Sequence, residues 1–339
     1  MEVDKVQETA VGELKDIVSK NLPGCDLTIC IFIAALKSFR ADQCLRPFPQ
    51  CFINENNEKD FVSLKTACDK IPTLSELLKL HTIPKEVVDL LLWLFKDSGM
   101  PLFTVHPVVS CSTYSECKYK VHMFKGDLPL TVINKKASIS TLPQYVFKVS
   151  YNLKFEEVWK KRVASKDIFY AFHGSSISNF YSILKFGLQQ HFSCGKEVIF
   201  GAGIYLSDEI SVCTNYSPFG ETWQNSTLGH KHSIIAICEV IDDEENVKCK
   251  DDKNKKRAIN QNSYGEIPEK YFVVTNSELV KLKYLLVYRH KSPSTVTSFI
   301  KKNFLWLTIV LYFLMLILIG FFNNPYFQRY LRIIYSLFQ

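Results

Sequence analysis

The spacing of hydrophobic positions changes twice along this chain, and each change marks a boundary. Residues 1–98 carry apolar clusters of helical length. Residues 8–20 predict a polar helix. Residues 25–40, with the run LTICIFIAAL, predict a strongly apolar helix that Asp26 is placed to cap. Residues 60–69 form a short amphipathic stretch. Thr73-Leu74-Ser75-Glu76 ahead of LLKL is a capping-box start, and Pro84 opens a helix through Phe95 at its first position. This first part reads as an all-α bundle of short helices. Residues 99–143, with prolines at 101, 107 and 129, read as loops and extended chain without an assignable task.

From Gln144 the period shortens to that of strands. YVFKVSYN (145–152), DIFYAFHGS (167–175), GIYLS (203–207), HSIIAICEVI (232–241), YFVVTN (271–276) and VKLKYLLVYRH (280–290) are strand-like. Helical segments at 155–164, 177–188 and 208–215 interrupt them, so residues 144–290 predict an α+β domain. The mixed charge run at 243–257 reads as a solvated loop.

A third pattern closes the chain. Residues 304–322 (FLWLTIVLYFLMLILIGFF) contain no charge. At a rise of about 1.5 Å per residue, a helix of that length approaches the roughly 30 Å hydrocarbon thickness of a bilayer. The segment is expected to be one transmembrane helix, with residues 291–303 as linker and 323–339 as a short lumenal tail. Arg289, Lys291, Lys301 and Lys302 precede it and only Arg329 and Arg332 follow, which places the body in the cytosol. The apolar runs at 27–36 and 87–95 are too short to span and read as core helices.

Charge and cysteine content narrow the setting. Much of the net charge of +7 lies beside the apolar segment rather than in a basic stripe interleaved with stacking aromatics, so nucleic acid is not an expected partner. The 11 cysteines are odd in number and contain no C-x-x-C pair, which fits free thiols in a reducing compartment and gives no zinc spacing. No metal is expected.

Candidate chemistry gathers in the second part. His173 ends an apolar strand and is followed by Gly174, a residue that lets a ligand approach the backbone. Tyr205 lies in G-x-G-I-Y, and Tyr216 follows eleven residues later, across a short helix, a spacing that suits two rings flanking a planar ligand.

F-H-G-S, F-G-L, G-x-G-I-Y-L-S-D, N-Y-S and K-Y-L-L-V-Y together resemble the catalytic domain of the diphtheria-toxin-like ADP-ribosyltransferases, the poly(ADP-ribose) polymerase family, over residues 145–290. The helical domain with L-R-P-F-P (45–49), I-P-E-K-Y-F-V-V-T-N (267–276) and the C-terminal anchor resemble its tail-anchored, mono-transferring members of the endoplasmic reticulum and nuclear envelope. The resemblance implies NAD as co-substrate. It implies that His173 bonds a ribose hydroxyl, Gly174 holds the nicotinamide amide, and Tyr205 orients the ribose and stacks on the ring. Tyr216 would stack on the other face. Two positions depart from the family. Cys213 stands where a serine usually bonds the carboxamide, and Tyr271 stands where polymer-forming members carry a glutamate; Glu266 and Glu269 precede it in an expected loop. The implied activity is transfer of one ADP-ribose to protein side chains, on the protein itself and on neighbours at the cytosolic face of the same bilayer. The alternative is an inactive membrane adaptor that binds NAD or ADP-ribose.

Overall fold

The computed structural model describes residues 2–105, 143–164, 166–190, 199–251, 255–290, 303–327 and 329. Residues 2–290 belong to one compact unit and residues from Lys291 onward to a second.

In the first unit, helices α1 (Glu2–Lys20) and α2 (Leu22–Leu36) meet at 105°. Every residue of α2 from Gly24 to Ala35 is buried. A helix apolar on all sides needs packing partners on all sides, and here it has them. Its cap is Asn21, whose side chain accepts from the Gly24 amide, with Pro23 in the first turn. The expectation that Asp26 caps this helix is therefore corrected: Asp26 lies one turn inside, fully buried. Shorter helices follow: α3 (Ala41–Cys44), α4 (Phe61–Asp69), α5 (Leu74–Leu77) and α6 (Lys85–Leu92). Thr73 and Glu76 form the expected capping box on α5. Pro84 is the N-cap of α6 rather than its first helical residue.

The rest of the unit is built on an antiparallel sheet. Its strands are β1 (Leu102–Val105), β2 (Tyr145–Ser150), β3 (Ile168–Ser175), β4 (Ile204–Ser207), β5 (Gly220–Glu221), β6 (Lys231–Ile241), β7 (Val247–Lys248), β8 (Tyr271–Val274) and β9 (Val280–Arg289). The order is β1-β2-β9-β6-β3-β4-β8-β7, with β5 paired to β6. Helices α7 (Leu153–Val163), α8 (Phe180–Phe186) and α9 (Ile210–Thr214) join them. Alternation along the central strands separates two cores. Ala171, Ile234, Ala236, Leu285 and Val287 share a core with α2 and α8. Phe172, Ile235, Ile237, Tyr284 and Leu286 share another with Ile210 and Cys213 of α9. This is the expected arrangement of a helical region followed by an antiparallel α+β region. The charge run at 243–257 is not simply a solvated loop: it contributes β7, and Arg257 is buried against Asp242.

One loop ties the helices to the sheet region. The Asp26 carboxylate accepts from the Ser226 hydroxyl, from the Thr227 amide at 2.8 Å, from the Thr227 hydroxyl at 2.6 Å and from the Cys30 thiol at 3.5 Å. Lys37 donates to the Thr222 carbonyl at 3.0 Å, and Asn225 donates to the Ile71 carbonyl at 2.8 Å. The buried acid is thus fully partnered, as burial of a charge requires.

In the second unit, α10 (Phe304–Asn323) covers the segment expected to be the anchor. Among the described residues no single helix meets the length and apolarity of a membrane span; the apolar stretch Phe304–Gly320 falls short by itself. The helix pair α1–α2 passes by composition, but α2 is a core helix of the first unit. The expected linker lies almost wholly outside the described residues, as does most of the tail.

Candidate active site

The site forms where the sheet stops being continuous. Strands β3 and β4 share a single residue pair, Phe172 with Ser207. Beyond it the backbone ladder gives way to a side chain: His173 Nδ1 donates to the Tyr205 carbonyl at 3.0 Å. A carbonyl can only accept, so this bond places the proton on Nδ1. Burial lowers the His173 pKa, against a smaller upward pull from the Tyr205 carbonyl. The ring is therefore neutral at pH 7 and its Nε2 is a hydrogen-bond acceptor.

Tyr205 is fixed at both ends. Its carbonyl takes the His173 proton, and its hydroxyl donates to the Gly201 carbonyl at 2.8 Å while accepting from the Phe200 amide at 3.1 Å. Those bonds need the loop at 199–203 to curl tightly under the ring. Gly201 permits it with φ +78°, and a Cβ there would meet the Gln261 carbonyl at 2.4 Å. Asn260, buried, clamps the same loop from outside by donating to the carbonyls of Phe200 and Ala202, each at 3.0 Å.

Tyr271 begins β8 opposite Ser207, on the face of the sheet that carries Tyr205. Phe200 stands between them, its ring 6.4 Å from Tyr205 and 5.9 Å from Tyr271. Burial raises the pKa of both tyrosines, and Tyr216 adds to each shift. Tyr216 is itself 60% exposed. Both phenols are neutral at physiological pH. Glu269 is exposed and paired with Lys250 at 2.6 Å, and Lys270 pairs with Glu209 at 2.8 Å. Glu266 is exposed.

Gly174 faces the end of α9. A Cβ on it would lie 2.3 Å from the Cys213 carbonyl and 2.9 Å from Ser217 Oγ, so only glycine lets β3 and α9 approach this closely. The Cys213 thiol is pushed up to about 12, mainly by burial, with the Gly174 amide working in the other direction. Ser217 is buried, and its hydroxyl has no hydrogen-bond partner among the described residues.

All six residues singled out in the sequence lie around the β3–β4 seam: His173 and Gly174 on β3, Tyr205 on β4, Cys213 on α9, Tyr216 just after it and Tyr271 on β8. Three further residues, Phe200, Asn260 and Ser217, join them. Phe200 and Asn260 carry no local signal, since each matters only through partners distant in sequence. Ser217 ends the N-Y-S motif, and that motif was the available clue.

Comparison with known proteins places these observations. The family model described as the poly(ADP-ribose) polymerase catalytic domain matches residues 133–256. The ARTD15 N-terminal domain matches residues 16–95. Human protein mono-ADP-ribosyltransferase PARP16 is 34% identical over 96% of this chain and 98% of its own length. Its mouse counterpart of the same name is 34% identical over 93% of this chain and 95% of its own.

Proposed function

The chain belongs to the poly(ADP-ribose) polymerase family, and from that membership we propose that its body moves single ADP-ribose units from NAD to protein side chains, with release of nicotinamide. NAD supplies the ADP-ribosyl group, and the bond that breaks joins its ribose to nicotinamide. The site residues fit this substrate. A neutral His173, held by the Tyr205 carbonyl, offers Nε2 to a ribose hydroxyl. Tyr205, Phe200, Tyr216 and Tyr271 supply aromatic surface for a planar ring, and the backbone at Gly174 suits its amide. Rigid orientation of ring and ribose is a large share of what such a site contributes to rate.

The observation that carries the reading is the seam itself: one backbone pair joins β3 to β4, and a neutral histidine bonded to the backbone of Tyr205 replaces the next. A sheet opened in this way supports a ligand rather than its own continuity.

Transfer stops at one unit because Tyr271 is not a carboxylate. Extending a chain requires activation of a ribose hydroxyl, and a phenol held above its ordinary pKa of about 10 is a weak general base at neutral pH. The residues of α10 and its basic flank act as a tail anchor, holding the body at the cytosolic face of the endoplasmic reticulum and nuclear envelope. Acceptors are then the protein itself and neighbours on the same bilayer, favoured by local concentration.

The test uses the full-length protein in detergent with isotopically labelled NAD. Label is expected on the protein itself, and adducts released from it are expected to run as single units. A ladder of chains overturns single-unit transfer. Binding of NAD without label turns the reading to an inactive adaptor.

A further inference from the structure

The polar groups around Gly174 are unequally satisfied. Ser217 has its backbone fully used: its amide donates to the Thr214 carbonyl at 3.2 Å, and its carbonyl accepts from the Ser233 hydroxyl at 2.6 Å. Its own hydroxyl is shielded from solvent and without a partner among the described residues. Tyr288, opposite Ser233 in the β6–β9 register, has a second buried hydroxyl in the same state. Folded proteins rarely leave such groups unpaired, and an exception calls for an explanation. The Ser217 hydroxyl lies 2.9 Å from where a Cβ on Gly174 would stand.

Cys213, the other side chain at this spot, cannot serve as a donor of comparable strength. Its thiol is a weak donor, and burial pushes its pKa up. Resting on the functional reading above, we propose that Ser217 is the hydroxyl that holds the carboxamide of the nicotinamide ring, in place of the side chain at position 213. The structure thereby moves a donor from the last turn of α9 to the residue after Tyr216.

The probe is benzamide, which carries the carboxamide and ring without the sugar. Ser217→Ala is expected to weaken benzamide binding about tenfold and to raise the KM for NAD by a similar factor, as for one hydrogen bond lost in a dry site. The melting temperature without ligand is expected to hold or rise, because an unpartnered polar atom has been removed. Ser217→Cys, close in size, is expected to show the same loss of affinity. Cys213→Ser on the Ser217→Ala background is expected to restore benzamide binding to within about threefold of wild type, since it returns a hydroxyl beside Gly174. Wild-type benzamide affinity in Ser217→Ala overturns the proposal, and so does a loss that Cys213→Ser fails to restore. A wild-type protein that neither labels itself nor binds benzamide removes the functional reading, and this assignment with it.

Discussion

Two polar clusters in the body sit at sites where elements distant in sequence meet, and they are built in opposite ways. At the α2 contact, the buried Asp26 accepts four donors, and the loop at 222–229 makes further bonds, accepting from Lys37 at the Thr222 carbonyl and donating from Asn225 to the Ile71 carbonyl. At the β3–β4 seam, His173 uses one ring nitrogen, the Ser217 hydroxyl has no partner among the described residues, and Tyr216 stands exposed. The first cluster is complete within the protein. The second leaves a buried hydroxyl without a partner among the described residues. Residue type alone separates them poorly, since each contains a serine and a cysteine, and the first also contains the carboxylate. What separates them is whether the partners are already present, because a buried polar group is costly when unpaired and stable when paired.

That contrast predicts opposite responses to mutation. The largest effect is expected at the complete cluster. Asp26→Ala removes an acceptor from two hydroxyls, an amide and a thiol, and is expected to cost about 3–4 kcal/mol of stability, given roughly 1.5–3 for each good bond to a charged group and partial recovery by relaxation. Urea unfolding at neutral pH measures it. Labelling by the molecules that remain folded is expected to persist, because Asp26 touches nothing in the seam. A melting temperature equal to wild type would remove the distinction between the two clusters.

His173→Ala makes the converse change. Labelling is expected to fall by about 100-fold or more, equivalent to about 2.7 kcal/mol of transition-state stabilisation. Its melting temperature is expected to stay within a few degrees of wild type, since the residue gives up one bond to the Tyr205 carbonyl. If the protein instead unfolds readily while its residual folded fraction labels normally, His173 belongs with the structural cluster. A smaller loss is expected from Tyr216→Ala, about tenfold in KM for NAD, since stacking of one ring contributes about 1–1.5 kcal/mol. Because Tyr216 is exposed, stability is expected to be unchanged; a KM equal to wild type would show that its ring does not meet the ligand.

The same contrast explains how far the sequence could be read. Period-2 and helical patterns locate the central strands and α2, and Thr73 with Glu76 marks a true capping box, because each signal is local. The strand-then-glycine pattern at His173 also survives as geometry, with both residues on β3. Asp26 imitates a helix cap for a physical reason. It precedes an apolar run as a cap would, yet Asn21 and Pro23 form an equally good start one turn earlier. Only the arrival of Ser226 and Thr227, 200 and 201 residues later, explains an acid inside the helix. Arg257 in the charge run was hidden likewise, since its burial depends on Asp242 and the Val247 carbonyl. Phe200 and Asn260 become visible only once β4 and the loop before β8 are folded together.

The smallest expected effect comes from pH, where one histidine from each cluster titrates. His232 lies at the base of the complete cluster, with Thr222 at 3.0 Å from Nδ1 and the Leu228 carbonyl at 3.0 Å from Nε2. Its pKa is lowered chiefly by burial. The Leu228 carbonyl and Asp26 pull it upward, and Arg289 and His230 push it further down. His173 is lowered chiefly by burial as well. In the unfolded chain both regain an ordinary value of about 6.5. Between that value and each folded pKa the unfolded state therefore binds more protons, so stability is at its full value above about pH 6.5 and declines as pH falls toward the folded values. The slope reaches at most about 1.4 kcal/mol per pH unit for each histidine in that window. A variant at His232 separates the two contributions. His232→Gln, which can keep both a donor and an acceptor in place, is expected to flatten the stability profile below pH 6.5 while leaving the acid limb of labelling in position. Labelling by wild type is expected to fall along that limb as His173 gains a proton and Nε2 ceases to be an acceptor. Urea unfolding and initial labelling rates across that range measure the two. If His232→Gln moves the acid limb of labelling, the complete cluster is coupled to the seam, and the division between them fails.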